Sequence, residues 1–359
     1  MNLHETAQEQ AFRAEVRAWM DAHLCGEFAP LRGAAGLGTP GYDAALAKRW
    51  EQELARGGWT GLGWPSEHGG RNLPLAQQII FHEEYVRCGG PGRIGHIGET
   101  LLAPTLMAHG TQEQKQRFLP GILAGTDYWA QGYSEPGAGS DLAGVRTRAR
   151  QDAATGEWVI DGQKVWTSWA HESNWIFVLA RCEERQPGQA RHRGLIFLLV
   201  PLNQPGVEIR PIRQITGGSE FNEVFFDSAR TEAGLHLGAP GQGWQVAMYL
   251  LGCERGASTL GQQAHFHSEL QDLIRVAQRN GAAQDPILRQ RIAQAALGLD
   301  TLRSHALRTS GEQADQRAAS VSKYAWSMWR RNLGELAMDV LGPVADIQDG
   351  DPLHDGLRQ

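Results

Sequence analysis

Cysteine is scarce in this chain. Cys25, Cys88, Cys182 and Cys253 stand far apart and form no C-x-x-C pair, which excludes a disulfide framework and a structural zinc site and suits a reducing compartment. Long apolar runs are lacking too: the longest, around Leu195 to Leu202, is far too short to cross a bilayer, so no membrane insertion and a cytoplasmic location are expected. Glu5, Glu9, Glu15 and Asp21 interrupt the first segment where a signal peptide needs an unbroken apolar stretch, and the segment reads as an amphipathic helix. Clustered basic charge is also missing. A net charge of -6 with interspersed signs argues against a nucleic-acid partner. No H-E-x-x-H occurs among the 13 histidines; the nearest pair, His265 and His267, is two residues apart in a helical pattern and points to different faces, so no metal is expected.

What the chain does contain is enough apolar material, 41% of 359 residues, to bury the cores of two or three domains. From Leu3 to about Asp127 apolar residues recur at helical spacing between Gly-rich breaks at Gly57-Gly58, Gly69-Gly70 and Gly89-Gly90. Thr111 with Gln114 has the form of a capping box, and the helix it opens is expected to stop at Pro120. From about Tyr128 the period changes to two. Trp158 to Ile160 leads into Asp161-Gly162, a hairpin signal, and Asn174 to Cys182, Gly194 to Pro201, Val207 to Ile212 and Glu223 to Asp227 read as short strands. Helical spacing returns near Gly241. The expectation is an α+β chain with a helical domain over 1–127, a small antiparallel β-barrel over 128–238 and a helical bundle over 239–359.

Gly90, Gly92 and Gly95 satisfy G-x-G-x-x-G, but a helical pattern precedes them where a dinucleotide fold needs a strand, and no acidic residue follows at the required distance. They read as a loop between helices. More informative is Gln131 to Asp141, QGYSEPGAGSD, where glycines let backbone N–H groups approach an anion and Ser134 and Ser140 add hydroxyl donors. Taken alone, G-A-G-S is better explained by an ordinary turn. About thirty residues on, Lys164-Val165-Trp166-Thr167-Ser168 sets an aromatic plane beside two hydroxyls, which suits a flat heterocycle stacked on one face and bonded at its edge.

Together with Glu220 to Asp227 and with Gly243-Trp244 leading to Glu254-Arg255, these stretches resemble the flavin-dependent acyl-CoA dehydrogenase family in order and spacing. Glu9 to Arg13 and Gly110 to Lys115 fit as well, so the resemblance covers essentially the whole chain. It implies the family fold of N-terminal helices, middle β-barrel and C-terminal bundle, with FAD as cofactor. It implies that Gln131, Tyr133 and Ser134 approach the flavin ring, that Gly139 and Ser140 lie near its pyrophosphate and the substrate, and that Trp166 and Ser168 flank the isoalloxazine. It also implies an acyl-CoA substrate, an electron-transfer flavoprotein or equivalent acceptor, and a homo- or hetero-oligomer.

The resemblance places the catalytic base at Glu254, on a helix early in the C-terminal bundle. The residues carry their own argument: the apolar stripe Trp244, Ala247, Met248 and Leu251 continues to Glu254, which puts a carboxylate on the buried face. Glu254 and Arg255 read equally as a helix-end charge pair near Gly256. In the implied reaction Glu254 takes the α-proton of the thioester while hydride passes to flavin N5, giving a trans-2-enoyl-CoA. Tyr249 and Arg255 join Ser140 as substrate-binding residues, with the acyl pocket lined around Gly95 to Leu106 and Tyr249 to Cys253.

Some features depart from the family pattern. Asp355 to Gln359 stands where a terminal helix and Gly-rich loop would follow, so a fragment or an unusual ending is expected. Gly281 to Gln290 lacks the usual Arg and aromatic pair that reaches a neighbouring subunit's flavin, and Leu341-Gly342-Pro343 replaces a Gly-Gly pair. These departures suit a divergent branch acting on bulky or branched acyl groups or assembling as heteromers. Two rivals stay open: a non-catalytic partner subunit of a heteromeric dehydrogenase, and a flavin monooxygenase or oxidase on the same scaffold.

Overall fold

The computed structural model describes residues 5–34, 42–184, 188–215, 217–254, 258–309, 316–347, 350–351, 353–354 and 357. Helices come first: α1 (Ala7–His23), α2 (Ala44–Arg56), α3 (Leu75–Arg87), a π-helical turn (Ile97–Leu102), α4 (Ala103–His109) and α5 (Gln112–Ala124). Strands follow: β1 (Trp129–Gly132), β2 (Arg148–Gln151), β3 (Trp158–Ser168), β4 (Trp175–Arg181), β5 (Leu195–Pro201), β6 (Val207–Ile212), β7 (Phe221–Thr231) and β8 (His236–Leu237). Helices then return as α6 (Gly243–Glu254), α7 (Ser258–Asn280), α8 (Pro286–Thr309) and α9 (Gln316–Leu341). No described helix is long and apolar enough to cross a membrane.

Two compact units result, one from Met1–Ala35, Pro74–Gly90 and Glu254–Gln359, the other from Gly36–Leu73 and Pro91–Cys253. In the first, α7, α8 and α9 close a core around Leu273, Val276, Leu299, Leu333 and Val340. An ionic knot ties α1 to α3: Glu84, 1% exposed, accepts from Arg13 at 3.0 Å, from Arg17 at 2.9 and 3.0 Å, and from Arg87. Burial pushes the Glu84 carboxyl up, but the hydrogen bonds from Arg17, Arg87 and Arg13 outweigh it and hold it at about 2. An unfolded chain, with an ordinary carboxylate, binds more protons than the folded one between about pH 4.5 and about 2, so this contribution is present above that window and is lost as pH falls through it. Acid titration of unfolding should show the loss, and Glu84→Gln should flatten it; a slope unchanged in the variant would contradict the assignment.

In the second unit the strands form one sheet in the order β6-β7-β3-β2-β4-β5-β8, with β1 added on β4. Pairing is antiparallel except that β1 runs parallel to β4 and β2 meets β4 in parallel register at Arg148 and Arg181. Its core gathers Ile160, Ile176, Val178, Ile196, Leu198, Val200, Val224 and Phe226. β4 and β5 are buried almost throughout, which is why their sequence is apolar without alternation.

The structure corrects two local expectations. Asp161-Gly162 makes no hairpin: both residues lie inside β3, where the register against β7 shifts between Ile160 and Gly162 and Gly162 takes φ 149°. Gly supplies a bulge here rather than a turn, because Thr147 lies 2.7 Å from where a Cβ would stand. Pro120 does not stop α5, which continues to Ala124 and ends at Gly125 in the left-handed region. A single proline removes one N–H, and the terminator is the glycine that can adopt the cap. The Thr111–Gln114 capping box forms as expected, with reciprocal bonds of 2.8 and 3.2 Å.

Candidate functional site

β1 ends at Gly132, and the chain then passes through Tyr133 to Asp141 in a tight turn closed by Glu135 N–H to Ala138 O at 2.8 Å and Ala138 N–H to Glu135 O at 3.0 Å. The two stretches singled out in the sequence are direct neighbours: Val165 N–H donates to Ser134 O at 2.9 Å, and Lys164 Nζ donates to Tyr133 O at 3.1 Å. Within the turn Gly137 and Gly139 have nothing within 4 Å of where a Cβ would stand. Their bare backbone leaves room for a ligand against the chain. Ser134 and Gln131 are half-buried, and Ser140 and Gly139 are exposed. The Tyr133 ring turns inward, packed edge-on against Phe177 and Phe197 at 5.8 and 6.2 Å, so a contact of this residue with a ligand falls to its backbone.

β3 is interrupted where the aromatic plane is needed. Its register against β7 shifts between Lys164 and Thr167, and Trp166 sits at φ 60°, a conformation that L-residues with bulky side chains rarely adopt. The bulge extrudes the indole, which is 59% exposed with the Phe221 ring edge-on beside it at 6.0 Å. Pairing resumes at Thr167 opposite Asn222, and Ser168, opposite Phe221, is half-buried. An open cradle of glycines and hydroxyls beside an exposed indole fits a flavin: the turn would hold its polar edge and pyrophosphate, and Trp166 would cover its ring.

Beside Asp141, which pairs with Arg191, a hollow of about 430 Å³ is lined by Ala143, Gly144, Val145 and three arginines, Arg146, Arg181 and Arg191. Arg181 braces it by donating to Arg193 O at 2.8 Å and Arg191 O at 3.0 Å, while Arg191 pairs with Asp141. Three guanidinium groups converging on one hollow favour an anion. Sequence reasoning missed this cluster, since its members are spread over 46 positions and meet only through the sheet.

The expected acyl wall is built by the π-helical turn. Glu99 within it accepts from Gly61 N–H at 2.8 Å and from Arg93, and its carbonyl accepts Trp64 Nε1 at 3.2 Å. Glu51 accepts Gly95 N–H at 3.1 Å, which gives the last glycine of the rejected dinucleotide motif a structural purpose. Burial pushes the Glu51 carboxyl up against the pull of Arg93. Tyr249 on α6 meets the His109 ring edge-on at 4.9 Å, and burial raises its phenol.

Glu254 is the last residue of α6 and is exposed, so the expected place on a buried face does not hold. The buried residues of α6 are Gly243, Val246, Ala247 and Leu250; Met248 is 37% exposed and Leu251 half-buried. The stripe was therefore drawn too far round the helix, and Glu254, although in line with Ala247 and Leu250, lies beyond the packed part. Arg255 lies outside the described residues.

Known proteins resemble the chain along its whole length. Residues 6–126, 130–229 and 241–357 match the N-terminal, middle and C-terminal domain models of acyl-CoA dehydrogenases. Acyl-CoA dehydrogenase IpdE1 of Mycobacterium tuberculosis is 54% identical over 345 residues, 95% of this chain and 88% of that protein. Among solved structures, the Tcur3481-Tcur3483 steroid ACAD superposes with a TM-score of 0.84 at 28% identity, covering 100% of this chain and 92% of that one. The ChsE4-ChsE5 complex from Mycobacterium tuberculosis gives 0.83 at 26%, with coverage of 100% and 92%. Helices, middle sheet and returning helices, the flavin-type cradle and these likenesses agree: the chain belongs to the acyl-CoA dehydrogenase family of FAD-dependent oxidoreductases.

Proposed function

We propose that this chain dehydrogenates the α,β-bond of a bulky, polycyclic acyl-CoA, with Glu254 as the base that takes the Cα proton. The observation that carries the reading is the junction of Tyr133-Ser134 with Lys164-Val165, which leaves Gly137, Gly139 and the Trp166 indole open to one flat ligand. Bound FAD supplies the hydride acceptor that no side chain provides. In this reading Gln131, Ser134 and Ser168 bond the ring edge, with Tyr133 contributing its backbone. Gly139 and Ser140 meet the pyrophosphate and thioester arm, and the hollow of Arg146, Arg181 and Arg191 receives the nucleotide phosphates of CoA. Tyr249 faces the acyl group, and Arg255 is assigned with it to substrate binding. The polycyclic class is suggested by the likeness to a protein described as a steroid ACAD.

A heteromer is favoured over a lone chain by the likeness to the ChsE4-ChsE5 complex. The bundle helices carry exposed Ile287, Leu297, Val321 and Tyr324, at 59 to 70% exposure, which suits a buried interface between subunits. An electron-transfer flavoprotein or a comparable carrier would reoxidise the flavin.

Anaerobic mixing with CoA thioesters tests the proposal. A polycyclic acyl-CoA should bleach the flavin absorbance faster than straight-chain thioesters, and the matching acyl-pantetheine, which lacks the phosphates, should need a much higher concentration. No bleaching by any thioester from a chain that holds FAD would sink the dehydrogenase reading. A purified chain that holds no FAD would favour the partner-subunit reading.

A further inference from the structure

Beneath the cofactor turn lies an ion pair that the chemistry does not use. Lys164 is fully buried, and its ammonium donates to Glu135 Oε1 at 2.8 Å, to Leu179 O at 2.8 Å and to Tyr133 O at 3.1 Å, so all three protons are engaged. Glu135, 8% exposed, also accepts Thr147 N–H at 2.9 Å and Arg146 N–H at 2.6 Å. Two side chains thus tie together the end of β1, the turn, the approach to β2, and strands β3 and β4.

A buried ion pair is a poor source of stability, because removing two charges from water costs about as much as their attraction returns, and apolar residues of similar size often do as well. What apolar residues cannot do is fix four backbone groups at once. The turn needs such fixing, since Gly137 and Gly139 have open surroundings and no side-chain packing of their own. Burial lowers the Lys164 ammonium to about 8, against the pull of Glu135, so the lysine stays charged at neutral pH. Burial would raise Glu135, but Lys164 and the two backbone donors outweigh it and keep it a carboxylate.

We propose that Glu135 and Lys164 are positioning residues for FAD: they hold the Tyr133–Asp141 turn and the base of the Trp166 bulge in the shape that binds the flavin, without touching the reacting atoms. The inference rests on the reading of this turn as the FAD cradle. Single variants leave one buried charge unpaired and are prone to misfold, so the informative protein is the uncharged double variant Glu135→Gln with Lys164→Met. FAD affinity of the deflavinated full-length chain would be titrated by flavin fluorescence, with thermal unfolding followed in parallel. A core variant of the sheet, Val178→Ala, serves as the control for lost stability alone, since Val178 is fully buried. The expected result is a dissociation constant for FAD raised at least about tenfold in the double variant, about 1.4 kcal/mol, and unchanged in the control. A double variant that binds FAD as the native chain does, or a control that weakens FAD as much, would overturn the proposal. A native chain that binds no FAD would remove the cradle reading itself, a different failure.

Discussion

Glu254→Gln is expected to keep its flavin and to lose flavin bleaching by acyl-CoA, with the reduction rate falling by at least about 10³-fold, within the range spanned by general-base catalysis. Glutamine matches glutamate in shape but cannot accept the α-proton. Glu254 is exposed at the end of α6, and glutamine keeps its size and its capacity to hydrogen-bond, so little change in stability accompanies the substitution. The loss should therefore appear in the rate of reduction and not in thioester affinity, which the reading assigns to Ser140, Tyr249 and the arginine hollow. Anaerobic stopped-flow absorbance separates the two, and a variant that reduces at the native rate would remove Glu254 from the mechanism.

The largest effect on stability is expected at Trp129. The side chain is fully buried where α5 meets the sheet, edge-on to Phe118 at 5.3 Å and stacked on Trp175 at 5.4 Å. Trp129→Ala should destabilise by about 3–5 kcal/mol, the cost of lost burial plus the cavity left behind. Its Nε1 has no hydrogen-bond partner among the described residues, so Trp129→Phe removes an unsatisfied donor along with some area and should cost far less than the alanine variant. Urea unfolding of the two variants decides the matter: equal losses would show that ring packing is not what holds this junction. The junction also bears on function. A Cβ at Gly98, in the π-helical turn, would stand 3.0 Å from Trp129 Cδ1, so the indole backs the expected acyl wall.

Much of this architecture was legible before any coordinates, because it follows from period. Helical spacing up to about Asp127, short strand-like runs between turn signals from about Tyr128, and helical spacing again from about Gly241 describe the order of elements. What failed was local chemistry with two outcomes. Asp161-Gly162 suits a hairpin and a bulge equally, and the partner strand β7 decided for the bulge. Pro120 suits a helix end, but a glycine five residues later offered a better cap. For Glu254 the pattern located the line on the helix but not how far the packing extends along it. In the candidate site, the glycines and the tryptophan were readable as a ligand cradle. Lys164 and Glu135 were not, since a charged residue announces burial only once its partner is known, and theirs is 29 residues away in sequence. The arginine hollow was hidden for the same reason.

The π-helical turn at Ile97–Leu102 has a consequence for how such a pocket can evolve. A turn of this kind closes with i→i+5 hydrogen bonds and houses one more residue than an α-helix would over the same stretch. Deleting one residue there would restore ordinary winding while α4, which continues directly from the turn, keeps its place, so the change would fall on the side chains of the turn itself. The expected lining of the acyl wall could thus be altered by a one-codon change in length, with the packing of the helix that follows it preserved.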